Sequence, residues 1–405
     1  MNEKRVINPE NFAWDPFYQN HARSLAVERN GILCVSGLTG EVFNERRNAY
    51  VIEDISLLKQ TQVIFKKLEN ILQSAGYQME DVVYTVDYAL QAGFPEYRQT
   101  AAIREAAFGT PPPAAVGVLV EGIPSSAALL TMNAVAMKNG RNKEVVIPQG
   151  SPSWKRYHSL TFSPGFFVGD DWFWMSGTTG RNYDEETGKD IYPDGIESQQ
   201  EVIWKHTLGA IIREAGIDLD SVVRTTDYVH PSVVSDYQRK GYLTKRLAGP
   251  NGNAREVIVV NRLLKSNALI ETDATCYLGR DREIIAPPEF PGSSAVKCGK
   301  IIFCSSQGPM DYKGGFVVGK GYFNAQVEQT YQNLETILNF AGASLKDVVR
   351  TIEITSPQTY FEQPFLNQMR KKVFGTDLPA VTTVTGNSML QIGADFSLDA
   401  WAILP

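Results

Sequence analysis

Three side chains in the middle of the chain have types and spacings that could do chemistry. Arg255 opens a predicted strand, and Glu271 and Asp273 lie two residues apart on another strand, so the two carboxyl groups share one face. A guanidinium can bind a carboxylate through two parallel hydrogen bonds, and a carboxyl group can orient water and exchange a proton with a substrate. Arg255 and Glu271 could equally form a structural ion pair with no part in catalysis. Both interpretations are open from residue types alone.

Histidine and cysteine residues do not show the spacing of metal ligands. The four histidines are scattered, and the four cysteines contain no Cys-x-x-Cys pair. Each cysteine lies in an apolar, strand-like run, which predicts buried, reduced thiols. We therefore expect no metal and no organic cofactor. The residues concerned are His21, His158, His206, His230, Cys34, Cys276, Cys298 and Cys304.

One sequence segment occurs three times and organises the whole chain. Each copy begins with Ala-Gly, continues through an acidic residue to Val-Val, and ends in threonine. The copies are Ala75–Thr85, Ala215–Thr225 and Ala341–Thr351. Their glycines are separated by 140 and 126 residues, about the size of one compact domain. The chain is therefore predicted to contain three domains of one kind.

Polar breaks place the boundaries between these domains. The stretches Lys138–Lys143 and Gly279–Arg282 are polar, and prolines follow both of them. We predict a first copy over 1–145 that includes an N-terminal arm, a second copy over 146–283 and a third copy over 284–405. These ranges are called the first, second and third copies below.

The same order of elements is predicted in every copy. A hydrophobic strand ends in a small-residue turn, and an amphipathic helix follows that stops at the repeated glycine. A β-rich run, a more polar helix and two further strands complete the copy. The turns are Ser36-Gly37, Ser176-Gly177 and Ser305-Ser306. This order predicts an α+β fold.

Composition and charge exclude some partners. The chain has 405 residues, 43% of them hydrophobic, and a net charge of −6 with no basic run, which disfavours nucleic acid as a partner. The N-terminus lacks the apolar core of a signal peptide, and no uninterrupted apolar stretch is long enough for a membrane span. We expect a cytoplasmic protein without membrane contact.

This ordered set of motifs resembles the RidA family, also called the YjgF family, whose members deaminate reactive enamines and imines. The resemblance covers nearly the whole chain, three times over. Family members are homotrimers whose sheets pack into a central barrel, with ligand clefts between neighbouring subunits. The resemblance therefore implies three tandem RidA-like (chorismate-mutase-like) domains forming a pseudo-trimer with a central β-barrel and outer helices. It implies a monomer that acts as this pseudo-trimer, or a weak homo-oligomer.

The resemblance also assigns roles to residues of the second copy. Arg255 matches the family's carboxylate-binding arginine and Glu271 its catalytic glutamate. The first copy is expected to have a proline in place of the arginine and Thr131 in place of the glutamate; the third has Val381 and Ser397. The expectation is one main cleft around Arg255 and Glu271. In the Ser-Gly turns, the backbone N–H groups are expected to bind the substrate's carboxylate or a developing negative charge. The turn residues predicted to bind substrate are Ser36, Gly37, Ser176 and Gly177.

Three functions remain open at this point. The first is an enamine or imine deaminase that hydrolyses a small, carboxylate-bearing reactive metabolite to ammonia and a 2-oxo acid. The second is a chorismatase-like enzyme acting on a cyclic carboxylate. The third is a non-catalytic protein that binds a small molecule.

Overall fold

The computed structural model of the protein describes residues 3–9, 22–125, 127–149, 151–240 and 252–405. The sequence predicts an N-terminal arm over residues 1 to about 17 and, in the second copy, the more polar helix over 236–247. Residues 10–17 of that arm and 241–247 of that helix lie outside the described residues. Within the described part, the chain forms three mixed sheets of six or seven strands, each packed against helices. The predicted α+β class is confirmed.

The first sheet consists of strands from the first copy and one short strand from the second. Its strands, in spatial order, are Arg5–Ile7, Ala26–Arg29, Ile32–Thr39, Leu130–Met137, Val82–Leu90, Ala114–Val120 and Arg262–Leu263. Val82–Leu90 and Ala114–Val120 run parallel, as expected for strands joined through a helical connection. The last strand comes from the second copy and pairs antiparallel with Ala114–Val120, so it ties the two copies together.

The second and third sheets repeat the strand order of the first. The second contains Ala254–Val259, Val222–Val229, Ile270–Tyr277, Trp172–Met175, Gly165–Val168 and Lys143–Val145, with Thr178–Thr179 also paired to Ile270–Tyr277. The third contains Arg282–Ile285, Ala295–Cys298, Ile301–Cys304, Phe396–Ile403, Val348–Thr355 and Ala380–Thr385. In each sheet the last long strand of the copy lies between the first hairpin and the parallel pair. Three short hairpins lie outside the sheets: Val42–Asn44 with Ala49–Val51, Asn182–Asp184 with Lys189–Ile191, and Met310–Asp311 with Phe316–Val317.

Amphipathic helices cover the outer face of each sheet. In the described part of the chain the α-helices are Leu57–Ala75, Phe94–Tyr97, Ala101–Phe108, Ile196–Val202, Leu208–Glu214, Val234–Lys240, Phe323–Phe340 and Gln363–Phe374. Leu57–Ala75 ends at Gly76, whose φ of 81° is a left-handed conformation that glycine adopts without a Cβ penalty. In the second copy, a π-helical turn, Ile203–Thr207, interrupts the corresponding helix. No helix of the described part combines the length and apolarity needed to cross a bilayer.

The three sheets contact one another in cyclic order through one repeated hydrogen bond. The backbone N–H of Ala115 donates to Ser176 Oγ at 2.9 Å, that of Arg255 to Ser305 Oγ at 3.1 Å, and that of Val381 to Ser36 Oγ at 2.7 Å. The inner faces of all three sheets share one hydrophobic core. The described strands nevertheless form three separate sheets, so their hydrogen bonding does not close a single barrel.

A buried charge cluster lies where the second and third sheets meet. Arg224 donates to Asp273 at 3.0 Å and to Glu256 at 3.1 Å, and Arg350 donates to Asp399 at 3.2 Å. The ring of Trp401 has its centre 5.2 Å from the guanidinium carbon of Arg224 and 4.4 Å from that of Arg350. All these side chains are almost fully buried. The cation–π contact between Arg224 and Trp401 therefore joins the second and third copies, whereas each ion pair lies within one copy.

All four cysteines are buried and free of disulfide bonds, as expected from their apolar surroundings. Burial raises the pKa of each thiol above its usual value. These thiols are therefore core side chains and poor nucleophiles.

Candidate functional site

Glu271 lies at the join between the first and second sheets. Its strand pairs it with Thr179 on one side and Tyr228 on the other, and its side chain is 8% exposed. A Cβ added to Gly177 would lie 2.4 Å from Glu271 Oε1 and 3.1 Å from Val116 Cγ2 of the first copy. The glycine therefore leaves the space that the carboxyl group occupies. We call this join, with Gly177, Arg181 and Glu271 in it, the Glu271 cleft.

The charges around Glu271 differ from those expected. Burial, and then the neighbouring Asp273 carboxylate, raises the pKa of the Glu271 carboxyl to about 8, while Arg181 and Lys265 act in the opposite direction. Arg181 lies just after the strand Thr178–Thr179, where the chain turns: its N–H donates to the Thr179 carbonyl at 2.8 Å. Its side chain is 17% exposed. At neutral pH the cleft thus combines a protonated carboxyl group with two nearby cations, of which Arg181 also lies 3.8 Å from the Asp190 carboxylate.

Three tyrosines border the same cleft. Tyr97 of the first copy and Tyr157 and Tyr192 of the second lie close enough for the Glu271 carboxylate to raise their pKa, although burial is the main cause in each. Arg181 donates to the Tyr157 hydroxyl at 3.4 Å, and the hydroxyls of Tyr192 and Thr179 are 3.1 Å apart. Aromatic and hydroxyl groups therefore lie in the neighbourhood of Glu271.

The polar groups of the Ser-Gly turns were expected to bind substrate. In the structure they form hydrogen bonds that join neighbouring copies. The Gly177 N–H donates to the Ala115 carbonyl at 3.1 Å, and the Ser176 N–H donates to the Pro164 carbonyl at 3.1 Å. The hydroxyls of Ser176 and Ser36 bond backbone groups of their own and the neighbouring copy. Ser36, Ser176 and the Gly177 N–H therefore already have partners within the protein, and their binding of a substrate carboxylate stays a prediction. Gly37 gives space to Thr131, as Gly177 does to Glu271.

Arg255 does not lie in the Glu271 cleft. It is paired with Thr225, whereas Glu271 is paired with Tyr228, three residues further along the same strand. Because side chains alternate across a strand, the two point to opposite faces of the second sheet. Glu256, next to Arg255, bonds Arg224 on the inner face, so Arg255 faces outward. The expectation of one cleft around both Arg255 and Glu271 is therefore wrong.

The Arg255 side chain lines a cavity of about 250 Å³ between the second and third copies, which we call the Arg255 cavity. Its guanidinium carbon lies 5.5 Å from the centre of the Tyr237 ring, and the Tyr237 hydroxyl donates to Asp227 at 2.6 Å. From the third copy, Ser306 and Ser397 also line the cavity. Ser397 pairs with Ile354 as Glu271 pairs with Tyr228, so a serine occupies the glutamate position here.

Strand register corrects one further assignment. Thr85 pairs with Ala115, as Thr225 pairs with Arg255 and Thr351 with Val381. The first copy thus has alanine, not the expected proline, at the arginine position. An alanine at this position cannot bind an anion through its side chain.

Sequence reasoning missed Arg181 and Lys265, the cations near Glu271. One available signal was the contrast between Arg181 and Glu41, which occupies the matching position of the first copy. Lys265 lies on a loop that follows Arg262–Leu263, the strand that pairs with the first copy. The residue is exposed, and partial burial of its ammonium group lowers its pKa. Among the described residues, no cluster of histidine, cysteine, aspartate and glutamate is arranged to hold a metal.

Comparison with known proteins gives one family. The model of the family described as Endoribonuclease L-PSP matches residues 18–138 and 284–404, within the first and third copies. A RutC family protein of Pyrococcus horikoshii is 34% identical over 97 residues, which are 24% of this chain and 75% of that protein. The protein mmf2, mitochondrial, of Schizosaccharomyces pombe is 33% identical over 100 residues, 24% of this chain and 75% of that protein.

One solved structure is similar over most of the chain. A chorismatase structure covers 80% of this chain and 93% of its own, with a TM-score of 0.50 and 13% sequence identity. At this identity the similarity concerns the fold. It extends across several copies, whereas each curated relative matches about one quarter of the chain.

Proposed function

This chain belongs to the Endoribonuclease L-PSP family, as its resemblance to RidA proteins indicated, and we propose that it hydrolyses a reactive enamine or imine that carries a carboxylate. The products are ammonia and a 2-oxo acid. The observation that supports this function is the buried Glu271 carboxyl beside Gly177, with Arg181 and Lys265 nearby. The net charge of −6 gives little electrostatic support for RNA binding, so an endoribonuclease activity is not part of this proposal.

In this proposal the three copies form a pseudo-trimer within one monomer. The support is the repeated strand order and the cyclic set of hydrogen bonds from Ala115, Arg255 and Val381 to the serines of the next turn. Because the three copies differ in sequence, the three interfaces between them carry different side chains. We place hydrolysis at the interface that contains Glu271.

The raised pKa of Glu271 sets the order of proton transfers. The protonated carboxyl donates its proton to the imine nitrogen, which makes the carbon electrophilic. The resulting carboxylate then accepts a proton from the water that attacks this carbon, so a C–O bond forms. Glu271 next protonates the amine of this intermediate and takes the hydroxyl proton as the C–N bond breaks and ammonia leaves. The glutamate finishes in its starting form, and water supplies the oxygen of the 2-oxo acid.

Arg181 and Lys265 take the place of an arginine at the position of Ala115. Both act electrostatically on Glu271, and Arg181 is held by the Tyr157 hydroxyl at 3.4 Å and by an ion pair with Asp190 at 3.8 Å, which a substrate carboxylate would join or displace. In the proposal Arg181 binds the substrate carboxylate, and Lys265, exposed on its loop, attracts it to the cleft.

The direct test is to supply imino acids generated by an amino acid oxidase and to measure ammonia and 2-oxo acid release. The expected result is release faster than in buffer and proportional to protein concentration. Release no faster than in buffer, from folded protein and across several imino acids, contradicts the proposal.

A chorismatase-like reaction on a cyclic carboxylate is the second candidate. It is favoured by the similarity of fold over 80% of the chain and by the three tyrosines around Glu271, which suit a larger, unsaturated ring. Loss of chorismate absorbance in the presence of the protein would favour this reaction over imine hydrolysis. Saturable binding of carboxylates with neither activity would instead favour a non-catalytic binding protein.

A further inference from the structure

A second cavity lies beside Arg181, and its described lining belongs to the second copy. Its volume is about 170 Å³, and we call it the Arg156 cavity. It lies between the short helix Pro152–His158, the hairpin that contains Asp190, and the π-helical turn Ile203–Thr207. Arg181 lines this cavity and also acts on the carboxyl group in the Glu271 cleft, so the two sites share one side chain.

The border between the Arg156 cavity and the Glu271 cleft carries more positive than negative charge. Burial lowers the pKa of Lys265, and three arginines are close enough to lower it further, whereas Asp190 raises it. The arginines are Arg181, Arg98 of the first copy, and Arg156. Asp190 thus faces four cations, since the carboxyl group of the cleft itself keeps its proton at neutral pH. Such an excess of positive charge favours a ligand that carries more than one negative charge.

Two of these guanidinium groups share one carboxylate. Arg156 donates to both oxygens of Asp190, at 3.0 and 3.1 Å, and to the Ser153 carbonyl at 2.6 Å. Arg181 lies 3.8 Å from the same carboxylate and donates to the Tyr157 hydroxyl at 3.4 Å, and both distances are longer than those of strong hydrogen bonds. Because one carboxylate balances one of the two charges, the pair keeps an excess positive charge and presents two planar groups side by side.

This arrangement distinguishes the second copy from the first. The first copy has Glu41 at the position of Arg181, and the hairpin register gives it Tyr50 at the position of Asp190. The long helices of the first and third copies are continuous, whereas that of the second contains the π-helical turn that places His206 on the cavity wall. Turns of this kind are frequent at functional sites. The shared fold does not require these features, which indicates a role in ligand binding.

From these observations we propose that the Glu271 cleft and the Arg156 cavity together bind a small dicarboxylate, with one carboxylate at Arg181 and the other at Arg156. This inference rests on the proposed function for the carboxylate at Arg181 and adds the second carboxylate. The substrate class is then the imine of a 2-oxo dicarboxylic acid with a short chain, which a cavity of about 170 Å³ can hold. A phosphate group also carries negative charge, but two planar guanidinium groups side by side suit two planar carboxylates.

The test uses isothermal titration of the full-length protein with 2-oxoglutarate and with 5-methyl-2-oxohexanoate, in which two methyl groups replace the distal carboxylate oxygens. The wild type is expected to bind 2-oxoglutarate at least about tenfold more tightly. Arg156→Met should remove most of this preference and leave the binding of 5-methyl-2-oxohexanoate nearly unchanged. The control is Arg239→Met, which also removes an arginine paired with an aspartate and should keep the preference.

A second variant, Asp190→Asn, separates the effect of charge from a purely structural role. It removes the negative charge that opposes both arginines but keeps an oxygen that can accept from Arg156. Binding of 2-oxoglutarate should therefore tighten about threefold or more. If Arg156 and Asp190 only hold the fold together, this variant will instead weaken the binding of both acids, which contradicts the proposal.

Other results would also overturn the proposal. They are equal affinity of the wild type for the two acids, and a preference for 2-oxoglutarate that survives in Arg156→Met. Displacement of 2-oxoglutarate by an equal concentration of inorganic phosphate would do the same, because the site would then accept any small anion. If the wild type prefers 2-oxoglutarate but releases no ammonia from any imino acid, the proposed hydrolysis fails and the dicarboxylate site stands. If it releases ammonia but shows no preference, the hydrolysis stands and the dicarboxylate site fails.

Discussion

Glu271 and Arg255 project from opposite faces of the second sheet, so one copy supplies its glutamate to one join and its arginine to another. The glutamate contributes to the join with the first copy and the arginine to the join with the third. The position opposite Glu271 is Ala115, and the position opposite Arg255 is Ser397. In a ring of identical subunits every join would contain both groups. In this chain the two residues are kept in the same copy and separated in space.

Replacing Glu271 with glutamine should abolish most of the ammonia release. Glutamine keeps the shape of the side chain but cannot donate and accept the proton, which is worth about 10²- to 10⁴-fold in rate. The matched control is Thr131→Val at the equivalent position of the first copy, which should retain wild-type turnover. Initial rates of ammonia release at saturating imino acid are the measurement. Equal losses in both variants would mean that Glu271 has no special role.

The pH dependence of kcat/KM should follow the protonated form of Glu271. With its pKa near 8, the carboxyl is mostly protonated below pH 7 and loses its proton above pH 8. If the first step is proton donation, kcat/KM is flat at low pH and falls about tenfold per unit above pH 8. The measurement is a profile from pH 6 to 10 with rapid assay of the imino acid. A rise through pH 8 would show that the carboxylate acts first, as a base.

The repeated order of elements was predictable from the sequence because it depends on local patterns. Amphipathic spacing and the glycines at 76, 216 and 342 indicated the three long helices and their ends, and all three glycines have positive φ. The α+β class and the family followed from the same motifs. These signals recur in each copy, so a wrong assignment of an element in one copy is revealed by comparison with the other two.

The placement of Arg255 and Glu271 in two different interfaces could not be predicted from such local patterns. The separation of Arg255 from Glu271 depends on strand register, since a shift of one residue moves a side chain to the other face. The role of Lys265 depends on contacts between copies distant in sequence. The Ser-Gly turns had the expected residue types, yet the backbone N–H of Gly177 is committed to Ala115. Residue type alone does not show whether a donor already has a partner.

Replacing Gly177 with alanine should displace the Glu271 carboxyl group, whereas the matched control Gly37→Ala should not. An added Cβ would lie 2.4 Å from Glu271 Oε1, so the carboxyl must move. We expect Gly177→Ala to lower turnover by about tenfold or more, since small displacements of a catalytic group are costly. Gly37→Ala meets the Thr131 hydroxyl instead and should leave turnover unchanged. Comparable thermal midpoints would show that the effect is local, and unchanged turnover in Gly177→Ala would contradict the assignment.

Arg181 should affect substrate binding more than the chemical step. Arg181→Met removes the charge but keeps most of the apolar side chain, so we expect KM for an imino acid to rise about tenfold or more while kcat changes less. The same change removes a cation that lowers the pKa of Glu271, so the fall in kcat/KM should move to higher pH. Steady-state kinetics at several pH values test both. A lower kcat with unchanged KM would show that Arg181 does not bind the carboxylate.

Arg224 should stabilise the fold because it neutralises two buried carboxylates, those of Asp273 and Glu256. Arg224→Met leaves Asp273 and Glu256 buried without their shared cation, and such a loss costs about 3–5 kcal/mol. Adding Asp273→Asn removes one of the stranded charges, so the double variant should be more stable than Arg224→Met alone. Urea midpoints at pH 7 measure both. Because Arg224 also packs on Trp401 of the third copy, its loss should weaken contact between copies as well. If the double variant is less stable than the sum of the single effects predicts, the pairing with Asp273 does not govern stability here.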